Sequence, residues 1–275
     1  MSRIALVRDG ATLLGHAAGT GLPVLFQHGL GGAEPQVAEN VPERPGIRRL
    51  TLDCRGHGGS APGARRPFSI ALFAEDALAL CDAAGVEGFV AGGISMGAAV
   101  ALRLAVRHPA RVRGLVLARP AWLFAPAPAN MMPYAEAAAM MRAAPHAEAK
   151  ARFAASPTGR RLAREAPDNL ASLLGFFDVA RPDVLADVLA DIARDGPGVS
   201  RDEAAALTVP TLVIGHDRDL VHPLAHAEAL AAVIPGAELA RIPPKQGQRA
   251  AHVAAFRAAV AAFLDRFTRE TRHDA

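Results

Sequence analysis

The feature that most constrains the fold is the alternation of short apolar runs with longer amphipathic stretches. Six runs have the length of buried strands, and they cover residues 22–28, 47–54, 88–94, 112–118, 210–215 and 237–242. Four stretches carry apolar residues at helical spacing, at 70–84, 96–107, 224–234 and 249–267. Such alternation is typical of a parallel sheet with helices on both faces, so the sequence predicts an α/β fold.

Two further segments complete the predicted architecture. Weak strand signals before and after Asp9-Gly10 predict an N-terminal hairpin, which raises the expected number of strands to eight. The strand signal then stops within residues 122–208, where the chain is Ala-rich and repeatedly interrupted by proline. We therefore expect a helical lid at 122–208, inserted after the sixth strand, and a core built from residues 1–121 and 209–275.

Composition limits the classes of protein that this chain can represent. Its 275 residues, 51% hydrophobic and 21% charged with a net charge of +3, are ordinary for one globular domain. The basic residues are dispersed, so nucleic acid is not an expected partner. No secretory signal is recognisable and no uncharged apolar run reaches the ~18 residues of a membrane span, so we expect a cytoplasmic protein without membrane contact.

One short motif carries chemistry. Gly93-Ile94-Ser95-Met96-Gly97 follows a predicted strand and opens a predicted helix. A serine on a sharp turn between a strand and a helix is lifted clear of the sheet edge, where it can act as a nucleophile. The Met96 amide would lie at the helix N-terminus, where unpaired donors favour a negatively charged oxygen.

Together with this motif, four further segments resemble the α/β-hydrolase fold family. They are His28-Gly29-Leu30-Gly31-Gly32, Asp53-Cys54-Arg55-Gly56-His57-Gly58, Arg107-His108-Pro109 and residues 211–215. The resemblance implies an eight-stranded, mostly parallel sheet and a Ser95 nucleophile. It also implies that the Leu30 and Met96 amides form the oxyanion hole. His28 and His57 match positions that the family uses to hold loops. No metal or organic cofactor is implied.

The resemblance places the acid of a catalytic triad in the loop after residues 211–215. Asp217 and Asp219 both lie there. Asp219 is the preferred acid, because an apolar pair and a proline follow it as they do in the family. Asp217 is the alternative.

The base departs from the family pattern. The family places a histidine in the loop after the last strand, but this chain has Lys245-Gln246-Gly247 there. His252, at the start of the last predicted helix, is our first choice. Lys245 and His222 are the alternatives, because a desolvated lysine can act as a base and His222 lies close to Asp219. Loss of the base is the remaining possibility.

These features predict an esterase- or lactonase-like serine hydrolase of small acyl compounds, in which Ser95, His252 and Asp219 form the triad. We expect Trp122, Phe124 and Met131 to line the substrate pocket. Carbon–carbon bond hydrolases and perhydrolases share the same motifs and are alternatives. A catalytically degenerate protein that binds a small ligand is another alternative. The apolar lid is in addition a candidate contact surface for a homodimer.

Overall fold

The computed structural model describes residues 1–273, and these form an eight-stranded sheet. Its strands are β1 (Ser2–Arg8), β2 (Ala11–Gly19), β3 (Leu22–Gln27), β4 (Ile47–Leu52), β5 (Phe89–Ile94), β6 (Val112–Ala118), β7 (Thr211–Gly215) and β8 (Glu238–Arg241). Their spatial order is β1-β2-β4-β3-β5-β6-β7-β8. From β4 to β8 all neighbouring strands are parallel, which confirms the predicted mostly parallel sheet.

The N-terminal hairpin forms as predicted. Strands β1 and β2 pair antiparallel, and Arg8 lies opposite Ala11 across the two-residue turn. Asp9 and Gly10 both adopt positive φ, 47° and 72°, as a tight turn between twisted strands requires. The hairpin joins the sheet through antiparallel pairing of β2 with β4.

Successive side chains of the central strands point in turn into two apolar cores, which lie on opposite faces of the sheet. Leu25 belongs to the core that includes α2 (Ile70–Ala83) and α3 (Met96–Arg107), whereas its neighbour Phe26 belongs to the other core. That second core includes Phe256 of α11 (Arg249–His273) and Val37 of α1 (Glu34–Asn40). Parallel strands buried on both faces explain why the strand runs in the sequence are almost continuously apolar.

A series of helices occupies the chain between β6 and β7. The helices are α4 (Met132–Ala143), α5 (His146–Ala155), α6 (Pro157–Glu165), α7 (Pro167–Gly175), α8 (Pro182–Arg194) and α9 (Arg201–Ala205). One short 3-10 turn, Ala129–Met131, precedes α4, and another, Phe176–Asp178, lies between α7 and α8. These helices pack on the core that contains α2 and α3. After β7, α10 (Leu224–Val233) and β8 return the chain to the sheet. No helix within residues 1–273 is both long and apolar enough to cross a membrane.

Candidate active site

Ser95 occupies a strained turn between β5 and α3. Its φ is 57°, in the left-handed region that non-glycine residues rarely adopt. The turn is tied to β6 by a hydrogen bond of 2.9 Å from the Ser95 amide to the Ala118 carbonyl. The serine is therefore held at the carboxyl end of the sheet by the two central strands.

The two glycines of the motif are needed for steric reasons. A Cβ atom added to Gly93 would lie 2.2 Å from the carbonyl carbon of Gly97. A Cβ on Gly97 would lie 2.3 Å from the carbonyl oxygen of Gln27 in β3. Such distances are far below van der Waals contact, so any side chain at either position would force the backbone apart.

The histidine that contacts Ser95 is His222, in the loop after β7. Its Nε2 lies 2.8 Å from Ser95 Oγ, and its Nδ1 lies 2.9 Å and 3.0 Å from the two carboxylate oxygens of Asp219. The pattern fits a neutral ring whose Nδ1–H donates to Asp219 and whose Nε2 accepts the Ser95 hydroxyl proton. Ser95, His222 and Asp219 thus form a continuous hydrogen-bonded chain.

The prediction that His252 contacts Ser95 is corrected by this geometry. His252 lies in the first turn of α11, where its Nδ1 donates to the Pro243 carbonyl over 2.9 Å. Its ring packs edge-on against His216, with the ring centroids 5.0 Å apart. Burial lowers the pKa of His252 to about 4, although the Pro243 hydrogen bond opposes this shift.

A compact turn explains why a histidine so close to the acid can reach the serine. The backbone amide of His222 donates to Asp219 Oδ1 over 2.9 Å, and this hydrogen bond closes residues 219–222 into a compact turn. Both side chains then point toward the end of β5. Sequence proximity argued against this pairing, because the family draws its acid and its base from different loops.

Asp219, rather than Asp217, is the carboxylate beside His222. Asp219 is buried, whereas Asp217 is exposed. Asn169 of α7 donates to Asp219 Oδ1 over 2.9 Å and accepts the amides of Leu220 and Val221. Burial opposes ionisation of Asp219, but His222 and Arg119 outweigh it and hold the pKa of this carboxyl well below its usual range.

Arg119 is a site residue that the sequence analysis missed. It follows β6 with a φ of 48°, and its Nη2 and Nε donate to Asp219 Oδ2 over 2.6 Å and 3.1 Å. The same Nη2 lies 3.1 Å from His222 Nδ1. Burial lowers the pKa of His222, Asp219 opposes this shift, and Arg119 lowers the pKa further. A charged residue directly after an apolar strand was the signal available in the sequence.

The loop after β3 holds Leu30 at the site. The amides on either side are fixed, since Gly29 donates to Gln36 Oε1 over 2.7 Å and Gly31 donates to His57 Nε2 over 3.0 Å. His28 Nε2 similarly accepts the Cys54 amide over 3.0 Å. His28 and His57 therefore hold loops, as the resemblance implied.

Ser95 opens into a cavity of about 190 Å³. Its lining residues are Gly29, Leu30, Gly31, Gly32, Gln36, Ile94, Ser95, Arg119, Tyr134, Asn169, Ser172, Phe176, His222 and Lys245. The helical segment between β6 and β7 thus contributes Tyr134, Asn169, Ser172 and Phe176.

The predicted pocket residues lie elsewhere. Trp122 and Met131 are buried in the main apolar core, and Phe124 packs against it. Trp122 Nε1 donates to the Asp195 carbonyl over 2.9 Å. The aromatic and methionine-rich stretch directly after β6 therefore contributes to core packing, and none of the three residues is among those that line the Ser95 cavity.

Among the side chains that the structure describes, those of residues 1–269, no group of three or more His, Cys, Asp or Glu is suited to a metal ion. The hydroxyl of Ser95, the imidazole of His222 and the carboxylate of Asp219 form a series of polar groups. The guanidinium of Arg119 and the ammonium of Lys245 belong to residues that line the same cavity. This set of groups can transfer a proton from Ser95 and bind negative charge.

Part of the chain is similar in sequence to a known hydrolase. The chain is 35% identical over 132 residues to a 2-hydroxymuconate semialdehyde hydrolase of Pseudomonas putida, which covers 42% of this chain and 47% of that protein. The match thus spans about half the length of that relative.

Solved structures match over nearly the whole chain. An enol-lactonase from Burkholderia xenovorans LB400 has a TM-score of 0.73 and 26% identity, covering 95% of this chain and 100% of that one. A thermophilic esterase from Thermogutta terrifontis has a TM-score of 0.70 and 25% identity, covering 99% of this chain and 97% of that one. The family model of the α/β-hydrolase fold matches residues 23–246, and the chain belongs to this family.

Proposed function

We propose that this protein is a serine hydrolase that cleaves a carboxylic ester, a lactone or a related acyl bond of a small molecule. The contact of 2.8 Å between Ser95 Oγ and His222 Nε2 carries the proposal, because a serine hydroxyl is a poor nucleophile until a base accepts its proton. The similarity to an enol-lactonase and an esterase supports the same reaction class.

In the proposed mechanism His222 accepts the Ser95 proton as Oγ attacks the substrate carbonyl carbon. The amides of Leu30 and Met96 donate to the oxygen that becomes negative. His222 then returns the proton to the leaving group, and an acyl ester forms on Ser95. A water molecule, deprotonated by His222, releases the acid product and restores the serine. Asp219 orients the ring and stabilises the imidazolium, as in other Ser-His-Asp enzymes.

The helical segment between β6 and β7 is proposed to act as a lid. Tyr134, Asn169, Ser172 and Phe176 from this segment line the Ser95 cavity. A cover of this kind limits the access of water and selects substrates by shape.

A serine-directed fluorophosphonate and p-nitrophenyl acetate test the proposal together. We expect one label per chain by intact mass, none in Ser95→Ala, and ester turnover that Ser95→Ala abolishes. Because His222 supplies the base, His222→Ala should lower kcat by about 10⁴-fold or more. The matched control His252→Ala should keep most of the turnover. Equal rates in Ser95→Ala and the wild type would contradict the proposal. Loss of activity in His252→Ala but not in His222→Ala would show that His252 is the base.

Carbon–carbon bond hydrolysis is a second candidate, favoured by the identity of 35% to a 2-hydroxymuconate semialdehyde hydrolase. Incubation with 2-hydroxymuconate semialdehyde, followed by loss of its visible absorbance, measures this activity directly. A kcat/KM above that for p-nitrophenyl acetate, dependent on Ser95, would favour it over ester cleavage.

A further inference from the structure

Lys245 is an unusual charged residue of the Ser95 cavity. It lies half-buried in the loop after β8 and lines both that cavity and an adjoining one of about 50 Å³. Its ammonium has no hydrogen-bond or ion-pair partner among the side chains described for residues 1–269, whereas Lys150 pairs with Asp178. Partial burial of an ammonium that has no partner carries a cost, and a bound anion would offset this cost.

Within the described part of the chain, no carboxylate of the cavity lining pairs with Lys245. Arg119 is paired with Asp219, and in the adjoining cavity Glu39 is paired with Arg249. Among the described residues that line the Ser95 cavity, none is an aspartate or a glutamate. With a neutral His222, the site therefore carries an excess positive charge from Lys245.

The surroundings of Lys245 act against its charge. Burial lowers the pKa of Lys245, and the positive charges of Arg119 and Arg249 lower it further. Asp168 and Glu39 oppose this shift more weakly. A bound carboxylate would reverse the balance, because an opposite charge in contact favours the charged ammonium.

We propose that Lys245 anchors a free carboxylate of the substrate, so that the site takes anionic esters or lactones rather than neutral ones. The inference rests on the proposed hydrolase function and names its substrate class. Lys245 lies in the loop where the family resemblance expected a catalytic histidine. Because His222 contacts Ser95 from another loop, this position is free to recognise the substrate.

Two pairs of esters that differ only in charge test the inference. The first pair is mono-p-nitrophenyl adipate and its ω-methyl ester, with the charge on the acyl side. The second pair is 3-acetoxybenzoate and its methyl ester, with the charge on the leaving group. We expect kcat/KM to favour the anion by about tenfold or more in at least one pair, as a hydrogen bond to a charged group predicts.

Substitution at Lys245 should remove this preference. In Lys245→Met the ratio of kcat/KM between anion and neutral ester should fall toward one, and Lys245→Arg should keep most of it. Lys150→Met is the matched control, since it removes the other lysine, and its ratio should equal that of the wild type. Thermal melting of each variant shows that the fold is retained.

The outcomes separate this inference from the proposed function. Ser95-dependent turnover without an anion preference in either pair would overturn the role of Lys245 and leave the hydrolase intact. A preference that survives in Lys245→Met, with both esters slowed equally, would also overturn it. Absence of fluorophosphonate labelling at Ser95 would instead contradict the hydrolase proposal itself.

Discussion

At the scale of single residues, the pairing of Arg119 with Asp219 affects the proposed base. Burial lowers the pKa of His222, and the Arg119 guanidinium on Asp219 lowers it further, which keeps the proposed base neutral. The same charge also opposes the imidazolium that forms when His222 accepts the serine proton. Asp219 counters that effect, and its low pKa keeps it ionised while His222 titrates. Arg119 therefore adds to the effect of burial on the pH range in which the site can work.

The pH profile of kcat/KM checks this role. Only the neutral ring can accept a proton, and the pKa of His222 lies below its ordinary 6.5. We therefore expect activity to be flat near neutral pH and to fall as the pH drops below 6.5 through the lowered pKa. Arg119→Gln removes a positive charge, which raises the pKa, so the acid limb should move to higher pH. A limb that stays in place or moves to lower pH would contradict this assignment.

At the scale of structural elements, α7 fixes the loop that carries both the acid and the proposed base. Asn169 accepts two amides of that loop, from Leu220 and Val221, while its own amide donates to Asp219. One side chain thus connects the helical segment between β6 and β7 with the end of β7. The geometry at Ser95 depends on this contact, although Asn169 lies far from it in sequence.

Asn169→Ala should disturb the loop. It leaves the partly buried Leu220 amide and the buried Val221 amide without this acceptor, and a buried amide left unpaired costs about 1–3 kcal/mol. Because small displacements of catalytic groups are costly, kcat should fall by about tenfold or more. Arg161→Ala is a control in the same helical segment, since Arg161 is exposed and its guanidinium pairs with Glu165 within α6. Steady-state kinetics and thermal melting measure both effects, and equal behaviour of the two variants would contradict the role of Asn169.

At the scale of the whole molecule, a buried ion pair joins the hairpin, the loop after β4 and α2. Arg55 has a fully buried side chain, and it donates to both carboxylate oxygens of Asp76, over 2.7 Å and 3.0 Å. Arg8 in β1 donates to the same carboxylate over 2.8 Å. These contacts connect the antiparallel edge of the sheet to its parallel centre.

Asp76→Ala should therefore destabilise the entire fold. The change leaves the buried Arg55 with only the exposed Asp9 as an ion-pair partner, and we expect the free energy of unfolding to fall by about 3–5 kcal/mol. The control Asp82→Ala breaks an exposed pair with Arg111 and should cost less than about 1 kcal/mol. Urea unfolding followed by circular dichroism compares the two. Similar losses in both variants would show that the buried pair has no special role.

The sequence by itself determined the succession of the eight strands, the hairpin and the turn at Ser95, while the resemblance to a family favoured Asp219. The strands, the hairpin and the Ser95 turn depend on local periodicity, on turn residues and on glycines that only a tight turn requires. Tertiary structure alone decided which histidine lies against Ser95, that Arg119 joins Asp219, and which side chains line the cavity. Those contacts join β5, β6, β7 and α7, elements far apart in the chain, and they depend on loop paths that local periodicity does not specify.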